Sequence, residues 1–204
     1  MIEMEHIQQK NDGINWKCGA VSLEMILKYY GITCEQDEIW DAVKSVRPTR
    51  KNQYYALTYQ LAQYAIQKGL CATIYKADYD SCLHILDYFD EINRPIIMSV
   101  TQKKSGDSHF TIYTGKKYGY YTFNDPDSKK NVEKYDYSEI RTMWQENFSV
   151  NVTGYIYIHF GNHDEAIAHT CNYCKREYPV LTKNGDWISD VTFCPHCDSG
   201  NIKA

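Results

Sequence analysis

The chain has 204 residues, enough for one domain of ordinary size and a small appendage. Its hydrophobic fraction of 43% and charged fraction of 24% suit a globular protein that buries a core, and a net charge of −4 argues against a nucleic-acid partner, which needs clustered Lys and Arg. No run of about 18 apolar residues is present, which excludes a membrane-spanning helix, and Met1-Ile2-Glu3-Met4-Glu5-His6 lacks the basic and apolar stretches of a secretory signal, so the expected compartment is the cytoplasm.

In chain order, Cys18 to Tyr30 reads as an amphipathic helix. Ala20, Leu23, Leu27 and Tyr30 recur at helical spacing, and Gly31 stops it. A second helix is predicted over Glu35 to Val46, closed by Pro48, and a third over Tyr54 to Gln67, ended by Gly69. Leu70 to Lys76 then reads as a strand, Ser81 to Phe89 as a helix, and Pro95 to Thr101 as a buried strand. Further strands are predicted at His109 to Thr114, Tyr120 to Asn124 and Val152 to His159, the last with strict alternation, with a short helix over Tyr137 to Trp144. A helical first half before a mostly antiparallel sheet is an α+β arrangement. Asn162 to His169, polar and aperiodic, reads as a linker, which divides the chain into residues 1–161 and 162–204. Beyond it Glu177 to Thr182 and Trp187 to Phe193 are strand-like around Asn184-Gly185, a strong hairpin signal.

The eight cysteines need an explanation other than disulfides in a reducing compartment. Cys171-x-x-Cys174 and Cys194-x-x-Cys197, nineteen residues apart, have the spacing of a zinc ribbon holding one structural Zn²⁺. Four thiolates leave no open coordination position, so the ion would stabilise a piece too small to fold on its core alone. Disulfides, a redox CxxC, or His169 or His196 replacing one thiolate are the alternatives. His159, His163 and His169 lie across a predicted strand end and linker, a poor frame for a catalytic metal. A ribbon of this kind most often docks a partner, and the acidic balance favours protein. Cys34, Cys71 and Cys82 have no matching base and read as core thiols.

Cys18 is different. It opens a helix, where unpaired backbone amides and a partial positive charge favour a thiolate, and Gly19 leaves the sulfur uncrowded. A thiol nucleophile needs a base, a group to orient that base, and donors for the developing oxyanion. His109 stands at the mouth of an apolar strand. Asp125 ends the next strand, and antiparallel pairing through the turn near Lys116 to Gly119 brings the two together.

These segments resemble the peptidase C39 group of papain-like cysteine proteases. The resemblance rests on Gln9, Cys18-Gly19 opening a helix that ends Tyr29-Tyr30-Gly31, His109-Phe110 on a strand, and Asn124-Asp125-Pro126 ending one, over about residues 8 to 160. It implies a papain-like fold, peptide or isopeptide hydrolysis through a Cys18 thioester, His109 as base, Asp125 as orienting acid, and a glutamine amide in the oxyanion hole. Gln9 and Gln8 both remain candidates for that amide, because Asn11 to Trp16 must bulge before the nucleophile. Lys17 stands where many relatives carry Asp. The best-known relatives are joined to transporters and cut leader peptides after a double glycine. Here neither transporter nor inhibitory pro-segment is expected, and the substrate range is expected to be narrow, a glycine-rich tail or isopeptide bond. The same scaffold would serve a thiol-dependent acyltransferase or an inactive peptide-binding module.

Overall fold

The computed structural model describes residues 2–10, 15–46, 54–103, 105–147 and 154–203. Three helices lead, α1 (Cys18–Tyr29), α2 (Gln36–Val43) and α3 (Thr58–Gln67). Between them lies a small sheet of β1 (Asn15–Trp16), β2 (Lys44–Val46) and β3 (Tyr54–Ala56). Two helix boundaries therefore differ from expectation. The second helix stops at Val43 because Lys44 turns extended and Lys44-Ser45-Val46 pairs with β3. The third starts at Thr58, where the Gln60 side chain accepts the Leu57 amide at 3.1 Å; aromatic Tyr54-Tyr55 goes to the strand instead. Pro48, Val152 and most of the expected bulge (residues 11–14) lie outside the described residues.

The second half is built on an eight-stranded antiparallel sheet, ordered β14-β13-β4-β9-β5-β6-β7-β8. Its members are β4 (Cys71–Lys76), β5 (Ile96–Thr101), β6 (Ser108–Lys117), β7 (Tyr120–Asn124), β8 (Glu133–Tyr135), β9 (Ile156–Gly161), β13 (Val191–Phe193) and β14 (Gly200–Ile202). Helices α4 (Cys82–Glu91) and α5 (Tyr137–Trp144) complete this half. Tyr118 and Gly119 both take positive φ (53° and 81°), which makes the two-residue β6–β7 turn follow the strand twist.

The alternation expected of β9 is present with a different meaning. Every residue from Ile156 to Gly161 is buried, so alternate side chains feed two cores, not core and solvent. Ile74, Ile97, Ile112 and Ile158 pack against α1, α2 and α3. Tyr75, Ile96, Met98, Tyr113 and Tyr157 face α4 and α5. The sheet is thus covered on both sides, the N-terminal helices on one.

Residues 162–169 are not an aperiodic linker. His163–Glu165 form a 3₁₀ turn and β10 (Ala166–Thr170) pairs along β11 (Glu177–Lys183). The Asn184-Gly185 hairpin is there, but only Asp186–Trp187 (β12) returns along β11. The chain then bends, and Val191–Phe193 crosses to hydrogen-bond with β4. Tyr75 Oη donates to Leu181 O at 2.6 Å, and Thr73 Oγ1 donates to Pro179 O at 3.2 Å and accepts from Leu181 N at 2.8 Å. The C-terminal segment is tied to the central sheet through backbone and side chains alike.

Candidate active site and four-cysteine cluster

Cys18 is the first residue of α1 and is 7% exposed. The helix is held against β6, where Ser22 Oγ donates to Phe110 O at 3.4 Å. Gly19 has a packing reason: a Cβ there would meet Phe110, Ala56 and Leu61 at 3.0 to 3.1 Å. Its lack of a side chain lets α1 approach β6 and α3, so the glycine read as open space beside the sulfur is a close-contact position.

His109 lies opposite Val100 on β6 and is 6% exposed; Asp125 follows β7 and is 8% exposed. Pairing of β6 with β7 brings them together, and His109 Nε2 meets Asp125 Oδ1 at 2.8 Å. That leaves Nδ1 on the other side of the ring, and Cys18 lies close enough for its sulfur to act on the imidazole. Burial opposes charge on the ring, but the negative charge at Cys18 and then the hydrogen bond the ring donates to Asp125 outweigh it, raising the His109 pKa to about 10. Asp125 Oδ1 also accepts the Asp127 amide at 2.8 Å, so the acid is held from two directions.

Residues 2–10 run as a strap beside this site. Ile2 N donates to Thr114 O (2.6 Å) and Gln9 N to Pro126 O (2.8 Å). His6 joins Asn124 Oδ1 through Nδ1 and Ser128 O through Nε2, the latter at 2.9 Å. Gln8 is exposed, with its carbonyl accepting from Gln36 Nε2 at 3.4 Å. Gln9 is half-buried beside Pro126, and its amide nitrogen donates to Asp127 Oδ1 at 2.7 Å. Lys17 is buried against Asp37 at 3.1 Å, and Lys10 reaches the same carboxylate at 2.6 Å. The two lysines, Lys10 foremost, hold the Asp37 carboxyl below its ordinary pKa. His6, Asp37 and Asp127 carried no motif in the sequence. Their roles arise from contacts between segments far apart in the chain.

Cys171, Cys174, Cys194 and Cys197 place their sulfurs within 4.8 Å of one another and can hold a metal ion. Cys171–Cys197 and Cys174–Cys194 are both 3.7 Å apart, too far for a disulfide, whose S–S bond is about 2 Å. Tetrahedral thiolates at about 2.3 Å from zinc would stand about 3.8 Å apart. Backbone amides of Tyr173 and His196 donate to Cys171 and Cys194 at 3.4 Å each, supporting the sulfurs from outside. His196 Nε2 is turned to Glu177 O at 3.2 Å and His169 packs edge-on to Tyr178 and Trp187, so neither joins the cluster. Among the described residues this is the single such grouping: His163 contacts Cys71 at 3.2 Å and His159 is buried against Phe89.

The model of the peptidase C39 family matches residues 4–152, more than half of the chain. Among solved structures, the fold is similar to the peptidase domain of Streptococcus ComA, described as a bi-functional ABC transporter involved in a quorum sensing pathway. The TM-score is 0.59 and the identity 18%, covering 78% of this chain and 99% of that one. A putative C39-like peptidase from Bacillus anthracis gives 0.57 and 16%, covering 78% and 94%. A double glycine motif protease from an AMS/PCAT transporter, solved in complex with its leader peptide, gives 0.53 and 21%, covering 78% and 91%. No curated protein matches the chain.

Proposed function

The chain belongs to the peptidase C39 family, and we propose that it is a cysteine peptidase that hydrolyses a peptide or isopeptide bond through an acyl-enzyme on Cys18. The observation that carries this reading is His109, buried between the Cys18 thiol and the Asp125 carboxylate, with Nε2 on Asp125 at 2.8 Å. In that arrangement the thiolate attacks the substrate carbonyl carbon and His109, held protonated, gives its proton to the leaving amine. Asp125 keeps the ring oriented and supports its positive charge. Water then attacks the thioester with His109 as base, restoring the thiol site. Gln9 and Gln8 stay the two candidates for the oxyanion donor in this reading, Gln9 half-buried beside Pro126 and Gln8 exposed.

A solved neighbour was captured with a leader peptide, which supports a peptide as substrate here; a glycine-rich tail or isopeptide bond and a narrow range remain our reading. Residues 1–161 carry the peptidase chemistry in this view, and residues 162–204 a zinc ribbon. The cluster takes one structural Zn²⁺: four sulfurs at near-tetrahedral separations leave no position for substrate or water. A reducing, cytoplasmic setting would keep all of these thiols available.

Iodoacetamide titration tests the activation of Cys18. At pH 6 it should alkylate faster than Cys34 or Cys71, and equal rates would defeat the enzyme reading. Trapping an acyl adduct on Cys18 from lysate would then identify the substrate. Adding an amine acceptor separates hydrolysis from acyl transfer.

A further inference from the structure

We infer that the cavity between the end of α4 and the β10–β11 pair is a second binding site, one that takes the amino-terminal end of a short peptide. The ammonium would sit between Glu91 and Asp164, with the first amide on His159. The cavity holds about 610 Å³, inside the range of about 300–1,000 Å³ usual for small-ligand pockets. Its walls come from both parts of the chain. Tyr88, Glu91 and Arg94 lie within the stretch that the family model matches, whereas His159 and Lys183 lie beyond residue 152.

His159 is the side chain that calls for a ligand. It lines the cavity from β9 and is 1% exposed, yet neither Nδ1 nor Nε2 has a hydrogen-bond partner among the described residues. The ring is held edge-on against Phe89, with centroids 4.8 Å apart. Burial, and after it the Arg94 charge, lowers its pKa to about 3, so the imidazole is neutral and offers one N–H donor and one acceptor nitrogen. Buried polar groups are ordinarily paired. Either ring nitrogen finds its complement on a peptide amide, which carries both an N–H and a C=O.

The charged groups around the cavity are unevenly satisfied. Arg94 and Glu165 form a two-point ion pair, one arm at 2.8 Å, and Glu165 Oε2 also accepts the Asn162 amide at 2.9 Å. Gly161 makes room for this pair, since a Cβ there would meet Glu165 Oε2 at 2.7 Å and Arg94 Nη1 at 3.0 Å. Lys183 Nζ rests over the Tyr88 ring, 4.4 Å from its centroid. Both cations are thus engaged. The Glu91 and Asp164 carboxylates, by contrast, have no ion-pair or hydrogen-bond partner among the described residues. Glu91 also closes α4, where the last helical carbonyls add partial negative charge. An ammonium is the charge that this rim lacks, and an ammonium one carbon from an amide is a peptide's amino terminus.

The probe that tests this is glycylglycinamide, which has the ammonium and the amides and no side chain. It is titrated into the full chain labelled with [15N]histidine, and the imidazole nitrogens are followed by NMR, His159 being assigned through its contact with Phe89. The His159 signals should move with a dissociation constant on the order of 1 mM, while those of His109 stay in place. N-acetyl-glycylglycinamide, which lacks the ammonium, should bind at least about tenfold more weakly, and so should glycylglycinamide to the double variant Glu91→Gln with Asp164→Asn. His159→Leu should bind no probe. Glu91 and Asp164 are exposed, so their variant keeps its fold even where His159→Leu does not.

No movement at His159 at about ten times that concentration would overturn the proposal. So would equal binding of the acetylated probe, or equal affinity of the Glu91 and Asp164 variant. A shift at His109 in place of His159 would put the probe at the thiol site and overturn it as well. The titration does not need Cys18 to react, so the peptidase reading and this one fail separately.

Discussion

The protein carries two cysteine sites that differ in how their meaning is stored. The four-cysteine cluster is local: two CxxC turns on one short stretch of chain, their spacing sufficient to bring four sulfurs together. The Cys18 site is assembled from a helix start, a strand start and a strand end, so that its thiol has chemical significance only because β6 and β7 pair in one register. A metal cluster built from thiolates stabilises by saturation, whereas a nucleophile must be left unsaturated and be activated by neighbours. On the proposed reading the same side chain serves opposite ends in one molecule.

The widest separation between the two sites should come from single cysteine replacements. Cys18→Ala should lower turnover by about four orders of magnitude or more, as loss of a nucleophile does, while the melting temperature moves little. Cys171→Ser should do the reverse, lowering the melting temperature strongly and turnover only modestly below that temperature. A Cys171→Ser protein as inactive as Cys18→Ala at low temperature would break the comparison.

Removing the metal is the next largest test. Structural zinc contributes about 10 kcal/mol of binding energy in small ribbons, and the zinc proposed here would pass part of that to the central sheet, since β13 pairs with β4 and Tyr75 binds Leu181. A strong chelator should therefore expose Cys171, Cys174, Cys194 and Cys197 to thiol reagents and raise hydrogen exchange along β4 as well. Exchange confined to residues 162–203 would mean that the ribbon is energetically separate from the sheet. Zinc should restore both signals.

The pH response should divide the sites again. His109 has its pKa raised from 6.5 to about 10 in the folded protein. A group whose folded pKa is raised contributes stability that is fully present below about pH 6.5 and lost as pH climbs through about 10. The thermal midpoint should accordingly fall between pH 7 and pH 10. Cys18→Ala removes the largest favourable charge acting on His109, so its midpoint should fall less across the same interval. Equal slopes in the two proteins would show that Cys18 does not hold the imidazolium.

Much of this arrangement could be read before folding was known. Helix α1 follows from its apolar spacing and Gly31, and the β6–β7 hairpin from two apolar strands around Tyr118-Gly119. Strand β8 was missed because Glu133-Lys134-Tyr135 has no apolar pattern; it forms as an edge on β7. Residues 166–169, expected as part of the 162–169 linker, take their strand character from pairing with β11 and not from their own composition. The meeting of His109 with Asp125 is legible because the ends of two paired strands mark them. The contacts of Gln9 with Asp127 and of His6 with Asn124 are not, since each joins residues 118 apart in the chain.

His6 offers the smallest and most local test of how far the thiol site extends. Its ring ties the N-terminal strap to Asn124 and Ser128, on either side of the Asp125-Pro126 turn. Each such hydrogen bond contributes on the order of 1 kcal/mol, so His6→Ala should lower stability by about 1–2 kcal/mol in denaturant titration. Its effect on turnover should be a few-fold at most, because Asp125 keeps its bonds to His109 and to the Asp127 amide. His6→Gln, which can reach one of the two acceptors, should recover part of the stability. A turnover loss as large as that of Asp125→Ala would mean that the strap, and not the β6–β7 pairing, holds the acid in place.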